Sequence, residues 1–459
     1  MRHYGDRVED LVITYIGGGS RGWAWTLMSD LAKAKDISGT VRLYDIDSQA
    51  AHINEVIGNS IPHNFRYQAF DDLSESLKGA DFVVISILPG TFEEMASDVH
   101  WPEKYGIWQS VGDTTGPGGI IRALRTLPMF EVFGKAIREN CPNAWVINYT
   151  NPMTLCVRAL YKVFPDIKAF GCCHEVFGSQ ALLGKIYGEA FGTEPAPRQE
   201  VKVNVLGLNH FTWITSASCH GHDLFPAYRE FSKKLLSEPA KPILRDEHFS
   251  YFASQDRVKS DTFMRYGCMG AAGDRHLAEF SRGAWYLKDP ETAESWGFTL
   301  TPVSYRVEDR KERLALSEAY FSGKKPFEFK ETGEEGVDQM RALLGLGDMV
   351  TNVNLPNRGQ IPNLPPDAVV ETNASFTGGK LQPVLAGKVP ASIYPQIANI
   401  CAIQECIAEA SLRRDLDAAF CGFICDPLVT ISFRDARKLF DEMVENTGKY
   451  LTEYNTDLP

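Results

Sequence analysis

Gly17, Gly19 and Gly22, in the segment IGGGSRG, constrain this chain more than any other feature. They fit the spacing G-x-G-x-x-G, follow the strand-length apolar run LVITYI and precede the helical pattern TLMSDLAKAK. Strand, glycine turn and helix in that order predict a dinucleotide-binding βαβ unit. Small residues let the backbone turn tightly against a pyrophosphate, whose charge suits the exposed N–H groups and dipole at a helix start. An acidic residue should end the second strand, and Asp45 in VRLYDID lies 45 − 22 = 23 residues past the last glycine, close to the usual spacing of about 20. Its carboxylate can accept from ribose hydroxyls and disfavours a 2′-phosphate. The expectation is NAD rather than NADP, held by Gly17, Gly19, Ser20, Arg21, Gly22 and Asp45, with Asp47 as the alternative ribose partner. A glycine turn that binds nothing is the competing reading, and strand, helix and Asp45 together disfavour it.

The first half keeps this rhythm. Short β-rich runs (LVITYIG, VRLYDID, DFVVISIL, AWVINYT, IKAFGCC) recur with helix-length segments between several of them, which predicts a parallel sheet with helices on both faces. After TEPAPRQE the pattern changes. VKVNVLGLNHFTWITSA alternates as antiparallel strands do, and amphipathic helices such as DRKERLALSEAYFSG follow. The expected class is α/β: an NAD-binding Rossmann-type domain over residues 1–196, like that of lactate and malate dehydrogenases, then an α+β substrate-binding and oligomerisation domain over 197–459. Strands are free to continue across that boundary. The breaker-rich LPNRGQIPNLPPDAVVETN should form irregular connections leading to a further strand.

Composition narrows the function classes. Forty-seven Lys and Arg against 59 Asp and Glu give a net charge of −12, which repels nucleic acid and acidic membranes in the absence of a basic patch. No run approaches the ~20 apolar residues of a membrane span, the opening twenty residues lack an export pattern, and ten scattered Cys suit a reducing compartment. A cytoplasmic protein with neither nucleic acid nor membrane as partner is expected.

Ligands of parallel sheets bind beyond the carboxyl ends of the strands, so the residues there carry the functional reading. Asp113 lies in GDTTGPGG, Asn148 and Asn151 in NYTNP, Cys173 and His174 in CCHEV, and Asn209 and His210 in LNHF. Each has a plain alternative: Asn148 or Asn151 as a helix cap, Asp113 as a turn residue, Cys173 as apolar filler, His210 as a hydrogen-bonded core histidine. Their coincidence at one end of the sheet outweighs those alternatives. A thiolate and an imidazole suit a divalent transition ion, and two protein ligands leave positions open for substrate hydroxyls.

Through IGGGSRG, LYDID, GDTTGPGG, NYTNP, CCHEV and GLNHF the sequence resembles glycoside hydrolase family 4, the NAD- and metal-dependent glycosidases, with weaker likeness in YGCMGAAGDRHLAEF. The resemblance implies hydrolysis by transient oxidation at carbon 3 of the sugar, elimination, water addition and re-reduction, in place of paired-carboxylate chemistry. It implies Cys173 and His210 as ligands of Mn²⁺ or another divalent metal, Asn151 as a substrate contact, and Asp113 as support for the catalytic base. His174 is implied as proton donor or sugar contact, with Glu175 competing. Family members that cleave phosphorylated sugars use a Tyr as base. The matching register here gives Phe263, leaving Tyr266, Asp261, Asp113 or a metal-bound hydroxide for that task. CHEV resembles the signature of the family's α-galacturonidases, which implies a short α-linked galacturonide as substrate and Arg275 or His276 as partner of its carboxylate. A homodimer or homotetramer is implied as well.

The alternatives within the family are α-glucuronidase, α-glucosidase and α-galactosidase. Outside it stand an NAD-dependent 2-hydroxyacid dehydrogenase, which shares the strand-end layout, and a non-catalytic NAD sensor. Cys173, His210 and GDTTGPGG weigh against both.

Overall fold

A computed structural model describes residues 1–247, 249–330 and 332–454. Its frame is a ten-stranded sheet. The strands from the first half are β1 (Val8–Ile16), β2 (Ile37–Tyr44), β3 (Phe65–Phe70), β4 (Phe82–Ile85), β5 (Trp145–Asn148) and β6 (Lys168–Gly171). They pair in parallel in the order β3-β2-β1-β4-β5-β6. All four residues of β4 are buried, as a central parallel strand covered on both faces requires. Helix α1 (Trp23–Lys33) follows the glycine turn, and α2 (Ser48–Asn59) starts at Asp47. The long α3 (Gly116–Asn140) carries most of its residues into the core, where it packs with α4 (Met153–Val163).

The second half opens as expected with an antiparallel pair, β7 (Lys202–Leu208) and β8 (Phe211–Cys219). Only Asn209 and His210 join these strands. His210 sits in the left-handed region at φ 63°, a conformation that costs a non-glycine residue about 1–2 kcal/mol.

The chain then returns to the first sheet. Strand β9 (Met349–Pro356) pairs antiparallel with β6, and β10 (Val369–Thr377) and β11 (Lys380–Pro383) extend the sheet beyond it. The breaker-rich stretch does lead into β10. Residue 197 therefore marks the passage from parallel sheet to hairpin, while the large sheet is built from both sides of it. Among the described residues no helix is long and apolar enough to cross a membrane.

Candidate functional site

The dinucleotide cradle is made by close packing. Gly17 has φ 95°, and a Cβ there would lie 2.0 Å from the carbonyl oxygen of Ser86. A Cβ on Gly19 would meet Ala50 at 2.7 Å and the Asp45 carboxylate at 2.9 Å. Asp45 Oδ2 accepts from the Gly19 N–H (2.9 Å) and Oδ1 from that of Asp47 (3.0 Å). Asn54, which sequence reasoning missed, donates to the carbonyls of Gly18 (2.8 Å) and Ser20 (3.0 Å) and stiffens the turn from below. Ser20 Oγ accepts from the Trp23 N–H at 3.2 Å, and Arg21 Nε is buried without a partner. Asp47 caps α2 by accepting from the Ala50 N–H at 3.0 Å, so the alternative ribose partner is a helix cap. A bare-backbone turn at a helix start with a carboxylate behind it fits a dinucleotide.

The strand-end residues gather around a relay of short contacts. Thr114 Oγ1 donates to Asp113 Oδ1 (2.7 Å) and lies 2.8 Å from His210 Nδ1. Because the single hydroxyl proton goes to the carboxylate, His210 Nδ1 carries the hydrogen and Nε2 keeps its lone pair. Burial, with His276 adding, holds the His210 pKa down to about 3, so the ring is neutral and free to ligate. The His276 ring lies against it, tilted by 31°, at 3.8 Å between centroids.

Opposing charges set the state of the carboxylates. Burial would raise the Asp113 pKa, but the Arg122 guanidinium, with the Thr114 hydroxyl, holds the group well below the carboxylate range. Arg122, in α3, donates from Nε to the Asn151 carbonyl at 3.1 Å. Asn151 Nδ2 reaches Asp113 Oδ2 at 3.4 Å, and its Oδ1 is buried and unpartnered. Glu175 accepts from the Gly273 N–H at 2.8 Å. Its Oε1 lies 3.7 Å from His276 Nε2.

Cys173 is buried, and burial followed by Glu371 and Glu175 pushes its thiol well above the ordinary range. Such a thiol ionises only when a cation compensates, which is what a bound metal does. Among the described residues no three His, Cys, Asp or Glu are already gathered for an ion. A thiol that ionises against a cation and a neutral imidazole are donor types that fit a divalent transition ion. His174 projects outward, half exposed; its Nδ1 meets Glu334 Oε1 at 2.9 Å and its ring stacks on Trp23. The Glu334 hydrogen bond raises its pKa.

Four expected residues do other work. Asn148 is fully buried and closes its own turn, accepting from the Thr150 N–H and donating to the Thr150 carbonyl, both at 3.0 Å. Arg275 is buried, its Nη2 on the Ser110 carbonyl and the Thr301 hydroxyl and its guanidinium over the Phe252 ring, while its Nε has no hydrogen-bond partner among the described residues. Asp261, on α5 (Arg257–Tyr266), accepts from Tyr286 (2.6 Å) and Arg265 (2.7 Å). Tyr266 packs edge-on against Trp213. Neither is brought to the Cys173 and His210 cluster, because their helix fastens to Tyr286 and the hairpin.

Besides Asn54, the site residues that sequence reasoning missed are Thr114, Arg122, Glu279, Glu334 and Glu371. Thr114 and Arg122 lie in or just beyond the glycine-rich GDTTGPGG, so proximity to Asp113 could have flagged them. Glu279 accepts from the Val111 and Gly112 N–H groups (2.7 and 2.9 Å) and so shapes the Asp113 turn; burial pushes its pKa up to about 8. A cavity of about 260 Å³ is lined by His100, Glu103, Tyr251 and Thr301, the last a hydrogen-bond partner of Arg275.

Two family profiles match the chain: "Family 4 glycosyl hydrolase" over residues 12–189 and "Family 4 glycosyl hydrolase C-terminal domain" over 205–429. The α-galacturonidase of Thermoanaerobacterium saccharolyticum is 59% identical over 458 residues, 98% of each chain. That of Bacillus subtilis is 51% identical over 442 residues, 95% of this chain and 98% of the other. A crystal structure of a Bacillus subtilis protein superposes with a TM-score of 0.90 at 51% identity, covering 95% of this chain and all of that one. The 6-phospho-β-glucosidase of Thermotoga maritima, solved with manganese, NAD⁺ and glucose-6-phosphate, shares the fold at a TM-score of 0.74 and 22% identity, covering 96% and 99% of the two chains.

Proposed function

Since this chain belongs to glycosyl hydrolase family 4, we propose that it hydrolyses short α-galacturonides with bound NAD and a divalent metal such as Mn²⁺. Family membership over both halves displaces the dehydrogenase and sensor readings. The substrate rests on one observation: relatives named α-galacturonidase align along nearly the whole chain at 47–59% identity.

The cradle from Gly17 to Gly22 with Asp45 would hold NAD, and Cys173 with His210 would hold the metal. Once bound there, NAD would supply hydride exchange with carbon 3 of the sugar, and the metal would supply Lewis-acid polarisation of the oxygen on that carbon. Asp113, kept ionised by Arg122, orients Thr114 and through it the ligating tautomer of His210. Asn151 presents an unpartnered oxygen to a sugar hydroxyl. The ketone at carbon 3 acidifies the proton on carbon 2, and His276, neutral and backed by Glu175, receives it. His174, its protonated form supported by Glu334, delivers a proton to the departing glycosidic oxygen. Water then adds to the unsaturated sugar, and no net oxidation remains. The protein acts in the cytoplasm as a homodimer or homotetramer, a state that light scattering will read.

The test is an assay of the purified protein with NAD, Mn²⁺ and a reductant on α-galacturonides, α-glucuronides, α-glucosides and α-galactosides, including a galacturonide deuterated at carbon 2. Hydrolysis of the galacturonide with loss of deuterium to solvent is expected. Stoichiometric NADH release would indicate a dehydrogenase, and full retention of the label would exclude elimination.

A further inference from the structure

Glu371 stands in β10, a strand that the glycine fingerprint and the strand-end motifs do not reach. Its carboxylate is 1% exposed, buried with Asn209 and Asn352. Strand register explains how it comes near the site. Asn354 of β9 is the Cα partner of Glu371 on one side and of Gly171 in β6 on the other. Alternation along β9 places Asn352 on the same face as Asn354. Asn352 Nδ2 donates to Glu371 Oε1 (2.6 Å) and to the Cys173 carbonyl (3.1 Å).

The second carboxylate oxygen faces the hairpin. Asn209 Nδ2 donates to Glu371 Oε2 at 3.3 Å. Asn209 immediately precedes His210 in the two-residue connection. Two residues along β10, Asn373 Nδ2 donates to the Val203 carbonyl at 2.7 Å and clamps β10 to β7. One carboxylate therefore ties the loop after β6, which carries Cys173, to the loop after β7, which carries His210.

We propose that Glu371 is a positioning residue that fixes the spacing between Cys173 and His210 through Asn352 and Asn209. The proposal rests on the reading that these two residues hold the metal. A carboxylate offers an acceptor oxygen to each of the two amide N–H groups. A glutamine would turn its own NH₂ toward one Asn NH₂, donor against donor, in a place closed to water. Partners that orient metal ligands set affinity by about 10–100-fold.

The test is a direct Mn²⁺ titration of the full-length protein with NAD bound, by calorimetry or by the paramagnetic signal of free Mn²⁺. Glu371→Gln is expected to weaken Mn²⁺ binding about 10–100-fold, with NAD affinity unchanged and kcat recovered at saturating Mn²⁺. Asn352→Ala, which keeps the carboxylate bonded to Asn209 and removes only the arm to Cys173, is expected to shift it in the same direction. Mn²⁺ affinity within about twofold of the unaltered protein in folded variants would overturn the proposal, as would an equal loss of NAD affinity, the mark of general loosening. Where Glu371→Gln does not fold, Asn352→Ala decides by the same criteria. Failure of the unaltered protein to bind Mn²⁺ would refute the metal reading instead.

Discussion

The dinucleotide cradle and the strand-end cluster are built on opposite plans. The cradle is nearly continuous in sequence: glycines, Asp45 and Asn54 fall between residues 17 and 54, and its shape follows from local packing of one βαβ unit. The cluster draws Asp113, Cys173, His210, His276 and Glu371 from five separate segments. Its geometry depends on how a hairpin and three antiparallel strands from the second half meet the end of a parallel sheet. A local cradle is specified by its own backbone. A distributed site must be held by long-range tethers, here the Thr114 hydroxyl and the buried Asn and Glu side chains.

Variants can break that contrast at either pole. Cys173→Ser or His210→Ala should abolish turnover by at least about 10³-fold, since a lost metal removes several kcal/mol of charge stabilisation at about 1.4 kcal/mol per tenfold. NAD binding, followed by fluorescence or calorimetry, should survive in both. A collapse of NAD affinity would show that the two sites do not separate as described. Gly17→Ala should do the opposite. Its Cβ would collide with the Ser86 carbonyl, costing more than about 1 kcal/mol of stability and most of the NAD affinity, and Mn²⁺ binding should be affected less.

Smaller effects sharpen the cradle and the limits of the cluster. Asp47→Ala removes a helix cap worth about 1 kcal/mol, which denaturant melts will read, while NAD affinity holds; Asp45→Ala should lose NAD affinity. Reversal of these two outcomes would restore Asp47 as the ribose partner. Tyr266→Phe should change kcat by no more than about twofold, the scale of a substitution away from special features, because its ring packs on Trp213. A large loss would return Tyr266 to the catalytic machinery.

The same contrast explains what could be read from the chain. Alternating strands, the glycine turn, Asp45 and the polar residues after each strand all follow local rules, and the family resemblance gathered them into one expectation. Asn148 was misjudged because an Asn after a strand closes its own turn as readily as it meets a sugar. Arg275 meets the Ser110 carbonyl and the Thr301 hydroxyl, partners that a cation within a motif gives no sign of. Asp261 and Tyr266 were nominated by register alone, and their helix packs elsewhere. Glu371 and Glu334 carry no local signal: each meets a partner more than a hundred residues away, Asn209 in one case and His174 in the other.

The central claim is that Cys173 and His210 hold one ion beside the dinucleotide. Anomalous diffraction from crystals grown with Mn²⁺ and NAD tests it most directly. The account predicts a single manganese peak bonded to Cys173 Sγ and His210 Nε2 next to the nicotinamide ring. A peak touching only one of the two side chains, or an ion remote from the nicotinamide, would contradict it.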